Sequence, residues 1–274
     1  MNNDNLDIFI GTYKTFKPPV SNPAYKIIVG NHDIDNDSGL ELIKCGNKDD
    51  VLDDRFFSEI YMLKYLVKYR QLKDYVGFCH YRKYFSFMDN IPDMDEIFGK
   101  CGAIVARPLH MKYNIGLTYG MCHNIEDLAI TGVIIKTSFP EYYDAFLNVT
   151  NGNILIPYNM TIMKRDDFIR YVNFVGGVLD RYIEIVGTDI EGRIKNREKL
   201  YLKDFDPNNT LDYQYRIGGY LAERLTTIFV HKNFKNVMTY PIKITEIKYN
   251  IENGKKKQKK LQFKETGETV GNEG

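Results

Sequence analysis

The sequence of 274 residues lacks the features that mark several classes of protein. Lys and Arg total 37 against 36 for Asp and Glu, and this formal net charge of +1 gives no reason to expect a nucleic-acid-binding surface. There is no tryptophan and no internal repeat. The cysteines form no Cys-x-x-Cys pair, and we interpret them as buried free thiols in a reducing compartment. They are Cys45, Cys79, Cys101 and Cys122.

Long apolar runs are also missing. No stretch approaches the roughly 20 residues that are needed to span a bilayer. The polar and acidic start of the chain, MNNDNLD, is unlike a signal peptide. These two absences predict a protein that is made and kept in the cytoplasm.

What is present is an ordinary globular composition, with 43% hydrophobic and 27% charged residues, which can supply a sizeable core. Apolar runs predict strands at 6–11, 25–30, 75–81, 102–106, 153–164, 227–231 and 237–245. Amphipathic spacing predicts helices at 53–70, 126–137, 141–149, 166–186 and 209–225. Their alternation predicts a three-layer α/β sandwich with a mostly parallel central sheet over residues 1–249. Residues 250–274 are rich in Lys, Glu and Gly, and we expect them to form a disordered tail.

The most informative stretch is 75–85, YVGFCHYRKYF, an apolar run that ends abruptly in polar residues. In an open α/β sheet, ligands bind beyond the carboxyl ends of the strands. The run brings His80, Tyr81 and Arg82 to that edge. A guanidinium can hold a phosphate in a bidentate grip, so these residues predict an anion-binding site. The alternative is a strand end whose polar groups bond only to neighbouring loops.

Three blocks of the sequence resemble a known family. GFCHYRKYF at 77–85, YNMTIMKRDDF at 158–168 and YQYRIGGYLAERL at 213–225 are similar, in order and spacing, to the glycosyltransferase-like proteins grouped as domain of unknown function 4422. The resemblance implies a GT-A-like, Rossmann-like fold that binds a nucleotide-sugar. It also implies sugar transfer in capsular and exopolysaccharide synthesis. Within that family, a UDP-sugar donor such as UDP-galactofuranose and a glycan or lipid-linked acceptor are the expected partners.

With this resemblance, the polar strand end is expected to bind the donor diphosphate. The residues assigned to this role are Thr12, Lys14, Gly30, His80, Tyr81, Arg82 and Arg216. Metal-dependent transfer needs paired carboxylates near the phosphates. The Asp-x-Asp pairs at 33–37, 93–95 and 204–206 do not directly end a strong apolar strand, so no metal ligand is predicted. We expect Arg82 and Lys14 to neutralise the diphosphate, with Mn²⁺ or Mg²⁺ as the alternative.

An inverting transfer needs a carboxylate that takes the proton of the acceptor hydroxyl. Glu223 in the third block is the first candidate for this base, and Asp212 is the second. The preceding Gly218 and Gly219 would allow the backbone to approach a ligand closely. Arg216 and Glu223 are seven residues apart, which would place them on one face of a single helix.

The acceptor-side candidates are less specific. His123 and Asp127 form an i, i+4 pair at a predicted helix start, and Tyr119 precedes them by one turn. A structural hydrogen bond is the more common role of such a pair. Asn159 is expected in a buried strand, where its amide either orients a sugar hydroxyl or ties down a loop.

Two rival hypotheses stay open at the sequence level. One is a transferase of a different group on the same fold, and the other is a non-catalytic module that binds nucleotide-sugars or carbohydrate. The basic run KKKQKK at 255–260 is interpreted as a solvated tail, with weak attraction to an anionic membrane surface as the alternative.

Overall fold

The computed structural model describes residues 4–46, 54–198, 210–252 and 255–265 of the chain. Within these ranges the strands are β1 (Leu6–Thr12), β2 (Tyr25–Val29), β3 (Leu42–Lys44), β4 (Tyr75–His80), β5 (Lys83–Phe85), β6 (Ala103–Ala106), β7 (Leu109–His110), β8 (Ile154–Leu155), β9 (Thr161–Lys164), β10 (Val237–Tyr240), β11 (Ile242–Glu252) and β12 (Lys255–Glu265).

The α-helices of the same ranges are α1 (Asp54–Phe57), α2 (Glu59–Tyr69), α3 (Met94–Phe98), α4 (Ile115–Cys122), α5 (Ile125–Ser138), α6 (Tyr143–Asn151), α7 (Arg165–Val186), α8 (Ile190–Glu198), α9 (Leu211–Tyr215) and α10 (Ile217–Asn233). Short 3-10 turns occupy Pro140–Tyr142 and Pro157–Asn159.

The central sheet has the strand order β10-β6-β9-β4-β1-β2-β3. Its pairs are parallel except that β9 runs antiparallel to both β4 and β6. β6 and β10 therefore run in the same direction as β4. This arrangement confirms the predicted α/β fold with a mostly parallel sheet.

Two hydrophobic cores lie on opposite faces of the sheet. Along β1, Phe9 packs into one core, and Ile8 and Ile10 pack into the other, as the period of two in a strand requires. The first core contains the buried faces of α2, α5, α6, α7 and α10. The second core is covered by α3 and by loop residues such as Phe16.

The register of the parallel strands brings several predicted site residues to one edge. Gly11 of β1 lies opposite His80 of β4, and Thr12 lies opposite Val29 of β2. Thr12, His80 and Gly30, which directly follows Val29, therefore stand at the carboxyl ends of neighbouring strands. This edge is where an open α/β sheet binds its ligands.

The structure differs from the sequence prediction in three helical regions. Residues 227–231, predicted as a strand from their β-branched and aromatic composition, belong to α10. Thr227, Ile228, Phe229 and Val230 are all buried, and periodicity alone does not separate a buried helix segment from a strand. The predicted helix 53–70 is broken at Ser58, and the predicted helix 209–225 is broken at Arg216.

Two further strands, β11 and β12, continue the chain past residue 249. β11 and β12 pair in antiparallel register from Lys243 opposite Glu265 to Glu252 opposite Lys255. The expectation for residues 266–274 lies outside the described residues.

Candidate functional site

Backbone strain marks one region of the molecule. Among the described residues other than glycine, Ser58, Tyr158 and Asn159 have φ values of 51°, 66° and 53°. Each such residue costs about 1–3 kcal/mol, and residues of this kind cluster at functional sites. Ser58 precedes α2, and the other two residues precede β9. The strained residues therefore border the space between these two elements.

A buried network holds Glu59, the first residue of α2. Its Oε1 accepts a hydrogen bond of 2.6 Å from the amide Nδ2 of Asn159. The Oδ1 of Asn159 accepts one of 2.7 Å from the hydroxyl of Thr226 in α10. The Asn159 side chain thus has both ends occupied and is fully buried. It ties the turn before β9 to two helices, which matches the second of the two roles predicted for it.

His80 lies beside Glu59 at the end of β4. Its Nε2 is 2.7 Å from the carbonyl oxygen of Tyr158 and 3.9 Å from Oε1 of Glu59. Burial lowers the pKa of His80, against the opposing effect of the Glu59 charge. A carbonyl only accepts, so the neutral ring donates from Nε2, and the lone pair of Nδ1 stays available to a ligand.

Glu223 of α10 presents a second carboxylate to the same region. Its Oε1 accepts from the backbone N–H of Tyr158 at 2.8 Å, and its Oε2 accepts from Arg224 at 3.1 Å. Burial raises the pKa of Glu223 above its ordinary value, and the Arg224 charge only partly opposes this effect. The side chain keeps 21% of its surface exposed. A reachable carboxylate with a raised pKa is suited to act as a general base near neutral pH.

Cationic side chains surround the two carboxylates. The Nζ of Lys83 lies 3.6 Å from the centroid of the Tyr158 ring. Burial lowers the pKa of Lys83, while the charges of Glu223 and Glu59 act in the opposite direction. The guanidinium groups of Arg82 and Arg216 are exposed. Both arginines also act to lower the pKa of Lys83, so their positive charges lie near it.

The tip of β1 carries the other predicted donor residues. The Nζ of Lys14 and the guanidinium of Arg82 lie 5.3 Å and 5.0 Å from the centroid of the Tyr81 ring. The Tyr81 hydroxyl is 3.1 Å from that of Tyr13. The Thr12 hydroxyl donates to the Lys14 carbonyl at 2.7 Å, which fixes this loop. The structure therefore brings Lys14, Tyr81 and Arg82 together, with Thr12 as a buried support.

Gly218 and Gly219 have a different role from the one predicted. A Cβ on Gly218 would lie 2.6 Å from the carbonyl oxygen of Phe56, and one on Gly219 would lie 2.4 Å from Oγ of Ser58. The glycines let α10 pack against the junction of α1 and α2. The prediction that they admit a ligand is wrong, because protein atoms occupy the space.

The third block is also not one continuous helix. Arg216 lies between α9 and α10 as the N-cap residue of α10, and its charge and that of Glu223 both act on Lys83. Arg216 is exposed, and its charge also acts on His80. Asp212, the second candidate base, is an exposed residue of α9.

The acceptor-side pair is divided between two helices. α4 ends at Cys122 and α5 begins at Ile125, so His123 and Asp127 do not form an i, i+4 pair on one helix, as was predicted. Asp127 accepts from the Tyr182 hydroxyl at 2.5 Å and from Arg197 at 3.0 Å. These contacts stabilise the buried carboxylate and join α5 to α7 and α8.

His123 lies in an aromatic stack. Its ring centroid is 4.1 Å from that of Tyr220 and 4.9 Å from that of the buried Tyr119. Burial lowers the pKa of His123 to about 3, and the charge of Arg224 adds to the effect. We therefore expect a neutral ring with a packing role.

This pKa gives a test of that packing role. The unfolded chain binds a proton at His123 near pH 6.5, but the folded chain does so only near pH 3, so stability falls as pH decreases through this window. A His123→Phe variant keeps the stack and should lose about 1–2 kcal/mol less free energy of unfolding between pH 7 and pH 5 than the unsubstituted protein. Urea unfolding at both pH values measures these losses in the free energy of unfolding, and a His110→Phe variant, changed at an exposed histidine, is the control. Equal losses in all three proteins would contradict the assignment.

The Asp-x-Asp pairs do not join the carboxylates at the sheet edge. Asp33, Asp35 and Asp37 are exposed on a loop. Asp93 caps α3, and Asp95 accepts from the Tyr75 hydroxyl at 2.6 Å. The pair at 204–206 lies outside the described residues. In the described part of the chain, no group of three or more His, Cys, Asp or Glu residues is arranged to hold a metal ion.

Comparison with known proteins gives the family and the fold of this chain. A family model described as domain of unknown function 4422 matches residues 7–234. The apo structure of WbbM, a bifunctional glycosyltransferase, is similar with a TM-score of 0.59 and 18% identity, over 87% of this chain and 45% of that one. At this identity the likeness concerns the fold, and it supports the predicted GT-A-like architecture. The chain spans less than half of the length of that protein. No curated protein matches the chain.

None of the helices in the described ranges is long and apolar enough to cross a membrane.

Proposed function

Because the chain belongs to the family grouped as domain of unknown function 4422, we propose that it is a glycosyltransferase. It moves a sugar from a nucleotide diphosphate-sugar, with UDP-sugars and among them UDP-galactofuranose favoured, to a hydroxyl of a glycan or glycolipid. The observation that carries the proposal is the convergence of a buried carboxylate, Glu223, with three cationic side chains at the carboxyl edge of the sheet.

The cations supply the donor side of the reaction. The charges of Lys83 and Arg216 act on His80, and that of Arg82 acts on Lys83, so a diphosphate bound beyond His80 would lie near three positive groups. A leaving diphosphate gains charge as the sugar departs, and fixed positive groups in a partly desolvated site stabilise that charge. Lys14 adds a further positive charge, since its Nζ and the Arg82 guanidinium both lie over the Tyr81 ring.

Glu223 supplies the acceptor side. Its carboxylate takes the proton of the acceptor hydroxyl as that oxygen bonds to the anomeric carbon. The bond between this carbon and the diphosphate oxygen breaks, and its electron pair leaves with the diphosphate. Attack opposite the leaving group inverts the anomeric centre. The hydrogen bond from Tyr158 N–H keeps Glu223 oriented, while lone pairs on both of its oxygens remain available.

We assign positioning roles to Glu59 and Asn159. The 2.6 Å bond between them and the contact of His80 with the Tyr158 carbonyl hold the strained turn in place. The strained turn then orients Glu223 through the hydrogen bond from the Tyr158 N–H. Strain maintained by such a network is consistent with a preorganised site.

The proposed reaction does not require a divalent cation, because cationic side chains neutralise the diphosphate. Saturating EDTA should therefore leave the rate of transfer within about twofold of the untreated rate. The measurement is nucleotide release during transfer, with Mn²⁺ or Mg²⁺ added back as the control. Loss of transfer that Mn²⁺ or Mg²⁺ restores would contradict the metal-independent reaction and make the Asp-x-Asp pairs the candidate metal ligands.

A panel of nucleotide-sugars tests the function itself. A bound donor stabilises the folded protein by mass action, so the true donor should raise the melting temperature the most. The same donor should release its nucleotide when an acceptor glycan is added. Stabilisation without turnover across a broad acceptor panel would favour the non-catalytic binding module instead.

The proposal places the protein in the cytoplasm or at the inner face of the membrane, in the synthesis of a capsular or other polysaccharide. The support for this placement is the composition of the chain and the resemblance of its three blocks.

A further inference from the structure

A cavity of about 370 Å³ opens at the part of the sheet edge formed by β6 and β10. Its walls come from these strands, from β8, from the end of α6 and from α10. The candidate site described above uses the ends of β1, β2 and β4 instead, so the cavity is a separate feature. Its lining includes Val105, Val149, Thr227, Val230, His231 and Thr239.

The cavity begins one helical turn from Glu223. Thr227 follows Glu223 by four residues in α10, which corresponds to a rise of about 6 Å. The hydroxyl of Thr227 donates to the Glu223 carbonyl at 2.9 Å and accepts from the N–H of Ile156 at 3.0 Å. The N–H of Tyr158 bonds to the Glu223 carboxylate. The segment 156–158 therefore connects the cavity wall directly to the carboxylate.

The cavity also shares its side of the sheet with the candidate site. Val105 pairs with Thr239 in the parallel strands β6 and β10, which run in the same direction as β4. The carboxyl ends of all three strands thus lie at one edge. The carbonyl of Tyr158 contacts His80, and Ile156, two residues earlier, lines the cavity.

The chemistry of the walls does not suit a diphosphate. Among the described residues that line the cavity, none is Lys, Arg, Asp or Glu. Aliphatic side chains such as Val105, Val149 and Val230 form most of the surface, and the amides Asn148 and Asn153 add polar groups. An apolar pocket with a few polar groups is typical of sites for uncharged small molecules.

We propose that this cavity binds an apolar segment of the acceptor, attached to the sugar whose hydroxyl is deprotonated by Glu223. The acceptor role rests on the proposed function, whereas the binding of an apolar chain does not. A chain in the cavity would place its sugar head within one helical turn of Glu223. The donor would occupy the cationic space near His80.

Alkyl glucosides of increasing chain length test the binding. Calorimetry with methyl, hexyl and octyl β-D-glucopyranoside below their micellar concentrations should show affinity that rises with chain length. Each methylene that enters the cavity should tighten binding about three- to fourfold. Affinity that does not change from the methyl to the octyl compound would overturn the proposal.

Two bulky variants fill the cavity from different walls. Thr239→Trp on the edge strand β10 and His231→Trp on α10 both start from exposed positions, so each should fold. Either variant should reduce octyl glucoside affinity at least tenfold. The control Val133→Trp adds the same ring at a position that is 59% exposed on α5 and should leave the affinity unchanged. Equal octyl glucoside affinity in the folded cavity variants and the control would place the alkyl chain elsewhere and contradict the proposal.

Transfer to alkyl glycosides of the acceptor sugar then tests the role of the cavity. kcat/KM should rise with chain length in the unsubstituted protein, and Thr239→Trp should abolish this rise while the rate with the methyl glycoside stays unchanged. Chain-length-dependent binding without any transfer would refute the proposed function and leave the apolar site intact. Transfer with no dependence on chain length would refute the acceptor role of the cavity.

Discussion

The Glu223→Gln variant should transfer sugar about a hundredfold to ten-thousandfold more slowly than the unsubstituted protein, because it lacks the proton acceptor. The amide keeps the shape of the side chain, and its oxygen can still accept from the N–H of Tyr158. Donor binding should survive, since the cations that hold the diphosphate are unchanged. Steady-state kinetics together with calorimetry of the nucleotide separates the two effects.

The dependence of kcat/KM on pH gives a second test of Glu223. Burial raises the pKa of Glu223, so the acid limb of kcat/KM should lie above the ordinary range of a glutamate. Glu223→Gln should lose this limb. The exposed Glu141→Gln is the matched control and should keep both the rate and the limb. Near-normal transfer by a well-folded Glu223→Gln protein would move the base to Asp212 or to Glu59.

The Arg82→Lys variant should bind the nucleotide diphosphate about tenfold to a hundredfold more weakly. A single ammonium does not reproduce the planar fork that a guanidinium presents to phosphate oxygens. The loss of one charge-assisted hydrogen bond corresponds to about 1.5–3 kcal/mol. Arg82 is exposed, so the substitution should not alter the free energy of unfolding appreciably.

Calorimetry with UDP and with uridine distinguishes the phosphate contact from a general loss of binding. The effect of Arg82→Lys should appear with UDP and be absent with uridine. Arg181→Lys, an exposed change in α7 beside Glu184, serves as the control. Unchanged UDP affinity in Arg82→Lys would contradict the assignment of this residue to the diphosphate.

The sheet and most helices could be predicted because their signals are local. Apolar runs such as 6–11 and 102–106 become the buried strands β1 and β6, and the periodicity of 166–186 becomes α7. The segment 227–231 was mispredicted because burial on all sides removes the polar face that identifies a helix. Whether this segment forms a helix or a strand depends on its packing against α6 and α7, and a local sequence pattern carries no information about those contacts.

Some residues of the candidate site could likewise be predicted from local patterns, whereas others are brought together only by folding. His80, Tyr81 and Arg82 could be placed by the rule that strand ends bind ligands, and Glu223 entered through the resemblance of its block. Glu59 was missed because its segment has the pattern of an ordinary amphipathic helix. Only the folded chain shows the break at Ser58 and the contact with Asn159. Contacts between residues 100 positions apart are not readable from spacing.

The most direct test of the central claim is a crystal structure of the protein with bound UDP. We expect a diphosphate beyond the end of β4, within hydrogen-bonding distance of the Arg82 guanidinium. Lys83 and Arg216 should face this diphosphate, and the Glu223 carboxylate should stay open to an acceptor. A nucleotide bound elsewhere, for example in the cavity between β6, β10 and α10, with the space around Arg82 and Lys83 filled by solvent, would contradict it.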